Sequence, residues 1–441
     1  MDKFKGRWNH VAKLWKNALS QEGFPQFDRW LSNEFAKNSQ YGSKDRRWYS
    51  EILFAGVRHG YFALFCSFLE GKNPTPELIE SFQKKYQTPQ SLFQGIKNIP
   101  TEEFFSWICL RYASTASSEI TFIKELEDNQ KNFYSILEQK LKNGSIQNQF
   151  IYHSVPLWFL PFFQKRVEAS NLSQDQVEKF LTDLNTRPPL WIRINHEDKK
   201  DEVLAELEKE NYQVKTLNST MEVHGAKGVF TLNSYRQGFF EIQDLASQQI
   251  GQHVQAEPKD YVWDCCAGGG GKTLQIASFL KNKGVLYASD IREYKLEEVK
   301  KRAKRSGFFN IRCLKWEGEE LPPFQKEIQT KGGFHWVLVD APCSSSGTWR
   351  RNPDAKYRVQ QENLNELKQI QLKLLSSASK AVLKNGHLVY STCSWLLEEN
   401  EKIVEEFLKI HPHFQLIKQN LLGNPFENSD SMFTAVLKYV I

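Results

Sequence analysis

Two cysteines in matching contexts carry the most reactive chemistry in this sequence. Cys343 sits in Asp340-Ala341-Pro342-Cys343-Ser344, and Cys393 in Ser391-Thr392-Cys393-Ser394. Each follows an apolar run that reads as a buried strand, Trp336-Val337-Leu338-Val339 before the first and His387-Leu388-Val389-Tyr390 before the second. In an open α/β sheet, loops at the carboxyl ends of strands build the active site. Two thiols carried to that edge suit covalent chemistry, in which a thiolate adds to an electrophilic ring. A lone cysteine at a strand end is more often a small buried hydrophobe. The pair, with Asp and Pro beside one and hydroxyls flanking the other, favours the reactive reading.

A second constellation is the glycine-rich turn Asp264-Cys265-Cys266-Ala267-Gly268-Gly269-Gly270-Gly271-Lys272-Thr273. Glycines between a strand and a helix let the backbone approach a ligand and adopt positive φ. A Walker phosphate loop needs glycine five positions before Gly271-Lys272-Thr273, where Cys266 stands. The dinucleotide fingerprint needs a third glycine, and that place falls on Thr273 or Leu274. A loop for S-adenosylmethionine needs a glycine turn plus an acid ending the next strand. Asp290 ends that strand, suited to accept from two ribose hydroxyls, and Glu317 follows the third strand, within reach of an adenine amino group in such a fold. Zinc is disfavoured, because Cys265 and Cys266 are adjacent and no histidine pair has ligand spacing.

The elements that must position these residues alternate in a βα rhythm. Strands are expected at 261–264, 285–290, 311–314, 336–340 and 386–391, with helices from Lys272, up to a Gly307 C-cap, and over 362–383 and 398–410. Near-continuous apolar strands joined by helices imply a parallel sheet covered on both faces, with a last strand near 432–437. Residues 1–148 read as helical: Phe4, Trp8, Val11, Trp15 and Leu19 recur at helical spacing, as do apolar positions in 49–68 and 102–112. The Asn143-Gly144-Ser145 turn then suggests a boundary, followed over 149–228 by a small α+β unit with a strand at 190–194. The third domain is 229–441.

A chain of 441 residues can hold two or three cores. Its seven cysteines are odd in number and scattered, which argues against a disulfide framework and for a reducing cytoplasmic setting. No apolar run of membrane-spanning length stands out, so no membrane partner is expected. The net charge of +6 permits an anionic partner without requiring one. Lys300-Lys301-Arg302-Ala303-Lys304-Arg305 reads as a solvated helix face, and Arg350-Arg351 as a phosphate contact beside the Cys343 loop, with Trp349 and Tyr357 candidates to stack on bases and core packing the competing reading for Tyr357.

Together these blocks resemble the Nop2/Sun/RsmB family of RNA cytosine-5 methyltransferases. The resemblance runs from about Gly238-Phe239-Phe240-Glu241 to Asp430-Ser431-Met432-Phe433. Its most specific parts are Asp340–Gly347 with Arg350-Arg351-Asn352-Pro353-Asp354, and Tyr390–Ser394 followed by Glu399-Asn400-Glu401. Arg46-Arg47-Trp48-Tyr49-Ser50-Glu51-Ile52 and Gly56-Val57-Arg58 are similar to the helical NusB-like domain of the RsmB branch. The implied fold is a Rossmann-like class I methyltransferase domain, preceded by an all-α RNA-binding domain and a small α+β RNA-recognition-like domain.

The resemblance implies S-adenosylmethionine as cofactor, held by Cys266, Ala267, Gly268, Gly269, Gly270, Gly271, Lys272, Asp290, Glu317 and Asp340. It implies Cys393 as the nucleophile at C6 of cytosine, Cys343 as the residue assisting product release, Asp340 on the base edge and Lys272 as a nearby cation. DNA enzymes use the Pro-Cys cysteine as nucleophile, so a second cysteine at 393 favours RNA. The expected substrate is ribosomal RNA, unstacked at the target because C6 is inaccessible inside a helix, and the protein is expected to act as a monomer. Transfer RNA as substrate, a silent RNA-binding assembly factor and a nucleotide hydrolase are the alternatives. Three departures stand out: Gly268-Gly269 where the family usually has Ala-Pro, Glu317 for Asp, and Ser345 where Gly is common.

Overall fold

The structure, a computed structural model, describes residues 2–113, 128–225 and 228–440. The chain divides into two compact units, Met1–Arg187 with Thr348–Gln361, and Pro188–Gly347 with Glu362–Ile441.

The described part of the first unit is helical. Helices Asp2–Leu19, Ser43–Leu69 and Thr101–Ala113 stand where apolar periodicity puts them. Trp15 stacks on Phe104 at 4.9 Å and meets Phe105 edge-on at 5.3 Å. Ser43–Leu69 has the length and apolarity of a bilayer span, but 78% of its most apolar window is buried in the protein. It is the core helix of this unit.

The expected boundary at 148 is not a boundary. Helices Ile146–Tyr152, Leu160–Ala169 and Gln174–Asp183 continue the helical unit, and Phe163 packs edge-on against both Phe150 and Phe180. The Asn143-Gly144-Ser145 signal is a helix-to-helix turn, in which Ser145 caps the next helix by accepting from the Asn148 N–H.

The larger correction concerns 348–361. Trp349, Arg350 and Tyr357 are at most 2% exposed, so they are core residues of the helical unit and not a stacking or phosphate surface. Trp349 meets Phe159 edge-on at 4.8 Å, and Tyr357 packs on Phe24 at 5.0 Å. The Arg350 guanidinium donates to Thr186 Oγ1 at 3.0 Å, while its carbonyl accepts from Arg58. Arg351 alone of the four is exposed.

In the second unit, strands β1 (Leu190–Ile194), β2 (Gln213–Leu217), β3 (Thr220–His224) and β4 (Phe240–Ile242) form an antiparallel sheet in the order β2-β3-β1-β4. Helix Lys200–Lys209 buries Val203 and Leu207 in this core. The small α+β element therefore begins near 190, and its β4 lies beyond 228, because the short Phe-Glu-Ile run is completed only by pairing with β1.

The second sheet has seven strands: β5 (Tyr261–Asp264), β6 (Val285–Asp290), β7 (Ile311–Lys315), β8 (Phe334–Asp340), β9 (Val382–Thr392), β10 (Phe414–Leu422) and β11 (Met432–Tyr439). Their order is β10-β11-β9-β8-β5-β6-β7, with β9, β8, β5, β6 and β7 parallel and β11 antiparallel to both neighbours. One core lies on each face, around Trp263, Phe334 and Tyr390 on one side and Leu274, Leu286 and Val389 on the other. The helix before β9 stops at Ser379, not 383, because Val382 already pairs with Phe334. Strand β10 has no counterpart in the sequence reading: its mixed apolar and polar residues reflect an exposed edge.

Trp349→Ala is expected to destabilise the protein by about 3–5 kcal/mol, the usual range for emptying a buried aromatic site. Chemical denaturation measures this. Undiminished stability with weakened RNA binding would restore the stacking role.

Candidate functional site

The carboxyl ends of β5, β6, β8 and β9 bring the sequence-predicted residues to one edge of the sheet. After β5 the chain turns through 265–270 into helix Gly271–Leu280. Gly268 and Gly270 have φ of +52° and +86°, where glycine is the favoured residue. The turn is tied down along its length: Ala267 N–H donates to Ser289 O at 2.8 Å, and Gly268 N–H to Asp290 Oδ2 at 3.0 Å. Arg302 reaches the Gly269 carbonyl.

A cavity of ≈ 630 Å³ opens against this turn, lined among others by Asp264, Asp290, Arg292, Trp316 and Asp340. Cys266, Ala267, Gly268, Gly269, Gly271, Lys272 and Glu317 line it as well. Gly270 is the exception among the predicted cofactor residues. A Cβ there would lie 3.0 Å from Val299, so its role is close helix packing.

Asp290 is 4% exposed. Burial opposes its charge, but hydrogen bonds from Arg292 and from the Gly268 N–H hold the carboxyl below its ordinary value. Arg292 Nε and Nη2 grip it at 2.9 and 3.1 Å. Glu317 is exposed and paired with Lys315 at 2.8 Å.

Sequence pattern alone does not mark Asp264, Arg292 or Ser391 as site residues. For Asp264 the signal exists: an acid closing a buried strand directly before a glycine turn. Its Oδ2 accepts from Thr273 Oγ1 at 2.6 Å, and its buried Oδ1 has no partner among the described residues. Burial, reinforced by Asp340 and Asp290, raises its pKa to about 7. A diol facing the Asp290 carboxylate and an ammonium group near Asp264 would complete this donor set, which fits the two polar ends of S-adenosylmethionine.

The candidate catalytic residues of the sequence reading lie at the ends of β8 and β9, with Lys272 reaching them from the helix after β5. Lys272 Nζ donates to Asp340 Oδ2 at 2.8 Å, and Ser391 Oγ to Asp340 Oδ1 at 2.9 Å. Lys272 is only 11% exposed along its side chain, so it does not point to solvent. Desolvation opposes its charge, but Asp340 outweighs this and raises its pKa. Cys343 and Cys393 are half-buried, with sulfurs 3.3 Å apart. The hydrogen bond from Cys343 lowers the Cys393 pKa against the opposing effect of burial, with Ser345 and Lys272 helping. The same contact and burial push the Cys343 thiol up. Of the two sulfurs, Cys393 is the one whose charged form is favoured. Burial and nearby carboxylates push Cys266 up as well, which leaves it a neutral wall of the cavity.

Buried polar groups hold the two cysteine loops together. Glu399 accepts from the Ser344 N–H at 2.8 Å, from Ser344 Oγ at 2.5 Å and from Gln371 at 3.1 Å. Ser346 and Ser394 hydroxyls pair at 2.8 Å, and Gly347 N–H donates to the Cys393 carbonyl at 3.0 Å. A Cβ at Gly347 would lie 1.7 Å from the Ser431 carbonyl oxygen, so only glycine permits this approach. The basic run on helix Glu293–Arg305 also has inward members. Arg302 and Arg305 both pair with Glu241, which is 1% exposed, while Lys300, Lys301 and Lys304 face solvent.

Residues 252–437 match the family described as 16S rRNA methyltransferase RsmB/F. The probable ribosomal RNA small subunit methyltransferase B of Coxiella burnetii is 30% identical over 286 residues, 63% of each chain. The corresponding protein of Klebsiella pneumoniae is 30% identical over 304 residues, 66% of this chain and 67% of its own. The match thus spans a little under two thirds of the Coxiella relative. Among solved structures, PH0851 superposes over 97% of both chains with TM-score 0.67 at 22% identity. NSun6 from Pyrococcus horikoshii, solved with SFG, gives TM-score 0.53 over 63% of this chain and 97% of its own, at 18% identity. These two likenesses establish the fold, a Rossmann-like methyltransferase domain with a helical N-terminal region. By its sequence matches, the chain belongs to the RsmB/F methyltransferase family.

Proposed function

We propose that this protein transfers a methyl group from S-adenosylmethionine to C5 of a cytosine in ribosomal RNA, through a covalent bond between Cys393 and C6. The observation that carries the reading is the pair of sulfurs 3.3 Å apart beside the Lys272–Asp340 ion pair, at the edge of the glycine-loop cavity. The names of the bacterial relatives support ribosomal RNA of the small subunit as substrate. SFG, an analogue of the cofactor, was solved with a protein of the same fold, which supports the cofactor.

The cofactor, when bound, supplies an electrophilic methyl group. Gly268, Gly269 and Lys272 would hold its methionine part, Asp290 its ribose and Glu317 its adenine end. Cys393 adds as thiolate to C6, and the displaced C5=C6 pair makes C5 nucleophilic. Asp340 faces the amino and N3 edge of the base, and Lys272 offsets the negative charge that spreads over the ring. Once C5 carries the methyl group, its proton leaves to a base and the C5–H pair restores the double bond. The C6–sulfur pair departs with Cys393. Cys343, held as a thiol, donates to that sulfur as it leaves, which favours release.

Incubation with labelled cofactor and small-subunit RNA, followed by mapping of 5-methylcytosine, tests the reaction itself. Cys393→Ala is expected to lower the rate more than about a thousandfold, as for loss of other covalent nucleophiles; surviving activity would overturn the assignment. Cys343→Ala is expected to accumulate a protein–RNA adduct visible on a denaturing gel. Normal turnover with no adduct would make Cys343 structural.

Asp290→Ala is expected to weaken S-adenosylhomocysteine binding by about ten- to a hundredfold, the worth of hydrogen bonds to a charged group. Titration calorimetry reads this directly. Unchanged affinity would remove Asp290 from the ribose site.

A further inference from the structure

Ser345 has a φ of +58°. A left-handed backbone is strained for an L side chain, and among residues other than glycine it suits Asn and Asp more than Ser. Glycine would relieve the strain, so the serine side chain must be worth what its backbone gives up. It touches the candidate nucleophile: the Cys393 thiol donates to Ser345 Oγ at 3.6 Å, and once that proton is lost the same contact can run only from the hydroxyl to the sulfur. Its backbone N–H also reaches the neighbouring Cys343 sulfur. One residue thus addresses both sulfurs. The charged and titratable groups acting on Cys393 are the Cys343 thiol, Asp340 and Lys272. Of these, Asp340 opposes the thiolate, and an S–H is a weak donor. Lys272 is already engaged with Asp340 at 2.8 Å. A hydroxyl at this position adds the stronger neutral donor that the sulfur otherwise lacks.

We propose that Ser345 is a positioning residue for the nucleophile: its hydroxyl donates to the Cys393 thiolate, fixing the sulfur's direction and sharing its charge. The catalytic consequence rests on the reading of Cys393 as the attacking group, but the contact is measurable without RNA or cofactor.

The test is the pH dependence of iodoacetamide alkylation at Cys393, followed by peptide mass spectrometry in Ser345→Gly and Ser345→Ala. Loss of a donor to the thiolate disfavours the charged form, so the alkylation midpoint moves to higher pH. The expected shift is about half to one pH unit in both variants, a three- to tenfold smaller thiolate fraction at neutral pH. Thermal melting separates the backbone effect, because Ser345→Gly relieves the strained φ and melts no lower than the parent, whereas Ser345→Ala retains it. An unchanged midpoint in both variants overturns the proposal and leaves Ser345 a loop-shaping residue. A shifted midpoint supports the contact even if methyl transfer to cytosine is never observed, so failure of one reading is distinguishable from failure of the other.

Discussion

The site depends on one constraint: two loops from adjacent parallel strands must be locked together. Glu399, completely buried, does this by accepting from the Ser344 backbone, the Ser344 hydroxyl and Gln371 at once. A buried carboxyl left unpaired is strongly destabilising, and a fully satisfied one rigidifies its surroundings. Burial raises the Glu399 pKa while these donors work the other way, so the loops are bound through the acid that most needs them. Thr392 and Asn400 extend the lock, since Thr392 Oγ1 donates to Asn400 Oδ1 at 2.6 Å and Asn400 Nδ2 to the Ser394 carbonyl at 2.9 Å. This polar network holds the loops at the separation that brings the two sulfurs into contact.

That spacing couples the two sulfurs. Two thiolates 3.3 Å apart would repel strongly, so the thiols titrate as a pair and not independently. Cys393 gains from the Cys343 hydrogen bond, from Ser345 and from the Lys272 charge against burial and Asp340, whereas Cys343 is pushed up by that same contact, by burial and by Glu399. An arrangement symmetric in residue type becomes asymmetric in acidity through its neighbours. The ion pair itself is partly buried and further tied by Ser391, which limits its freedom to reorient.

The strand ends, the glycine turn and the cysteine loops were legible in the sequence because each is local: an apolar run of five or six residues followed by its own turn chemistry. What was not legible depends on distant partners. Trp349, Arg350 and Tyr357 look like an RNA surface because aromatic and basic types adjoin, yet they are buried among helices some two hundred and more positions earlier in the chain. Arg302 and Arg305 look solvated until Glu241 is brought beside them. The turn at 143–145 reads as a domain border because glycine and a capping serine mark any helix end, internal or terminal. Local pattern reports where elements stop, not which core they join.

The glycine turn shows how a local departure is offset by tertiary contacts. Gly268-Gly269 in place of a stiffer pair leaves more chain entropy to lose, roughly 1 kcal/mol for each such residue. Here the stiffness comes from outside the turn. Asp290 binds the Gly268 N–H, Ser289 the Ala267 N–H, and Arg302 the Gly269 carbonyl, while the Gly270 N–H closes back on Ala267. Arg302 is itself held by Glu241 at 2.8 Å. The turn is therefore fixed by a chain of contacts through helix Glu293–Arg305, so its order depends on the basic helix that the sequence pattern assigns to solvent. At Gly268 an added Cβ would meet nothing within 4 Å. The glycine is demanded there by the backbone angle and not by crowding, and the open space beside it belongs to the cavity.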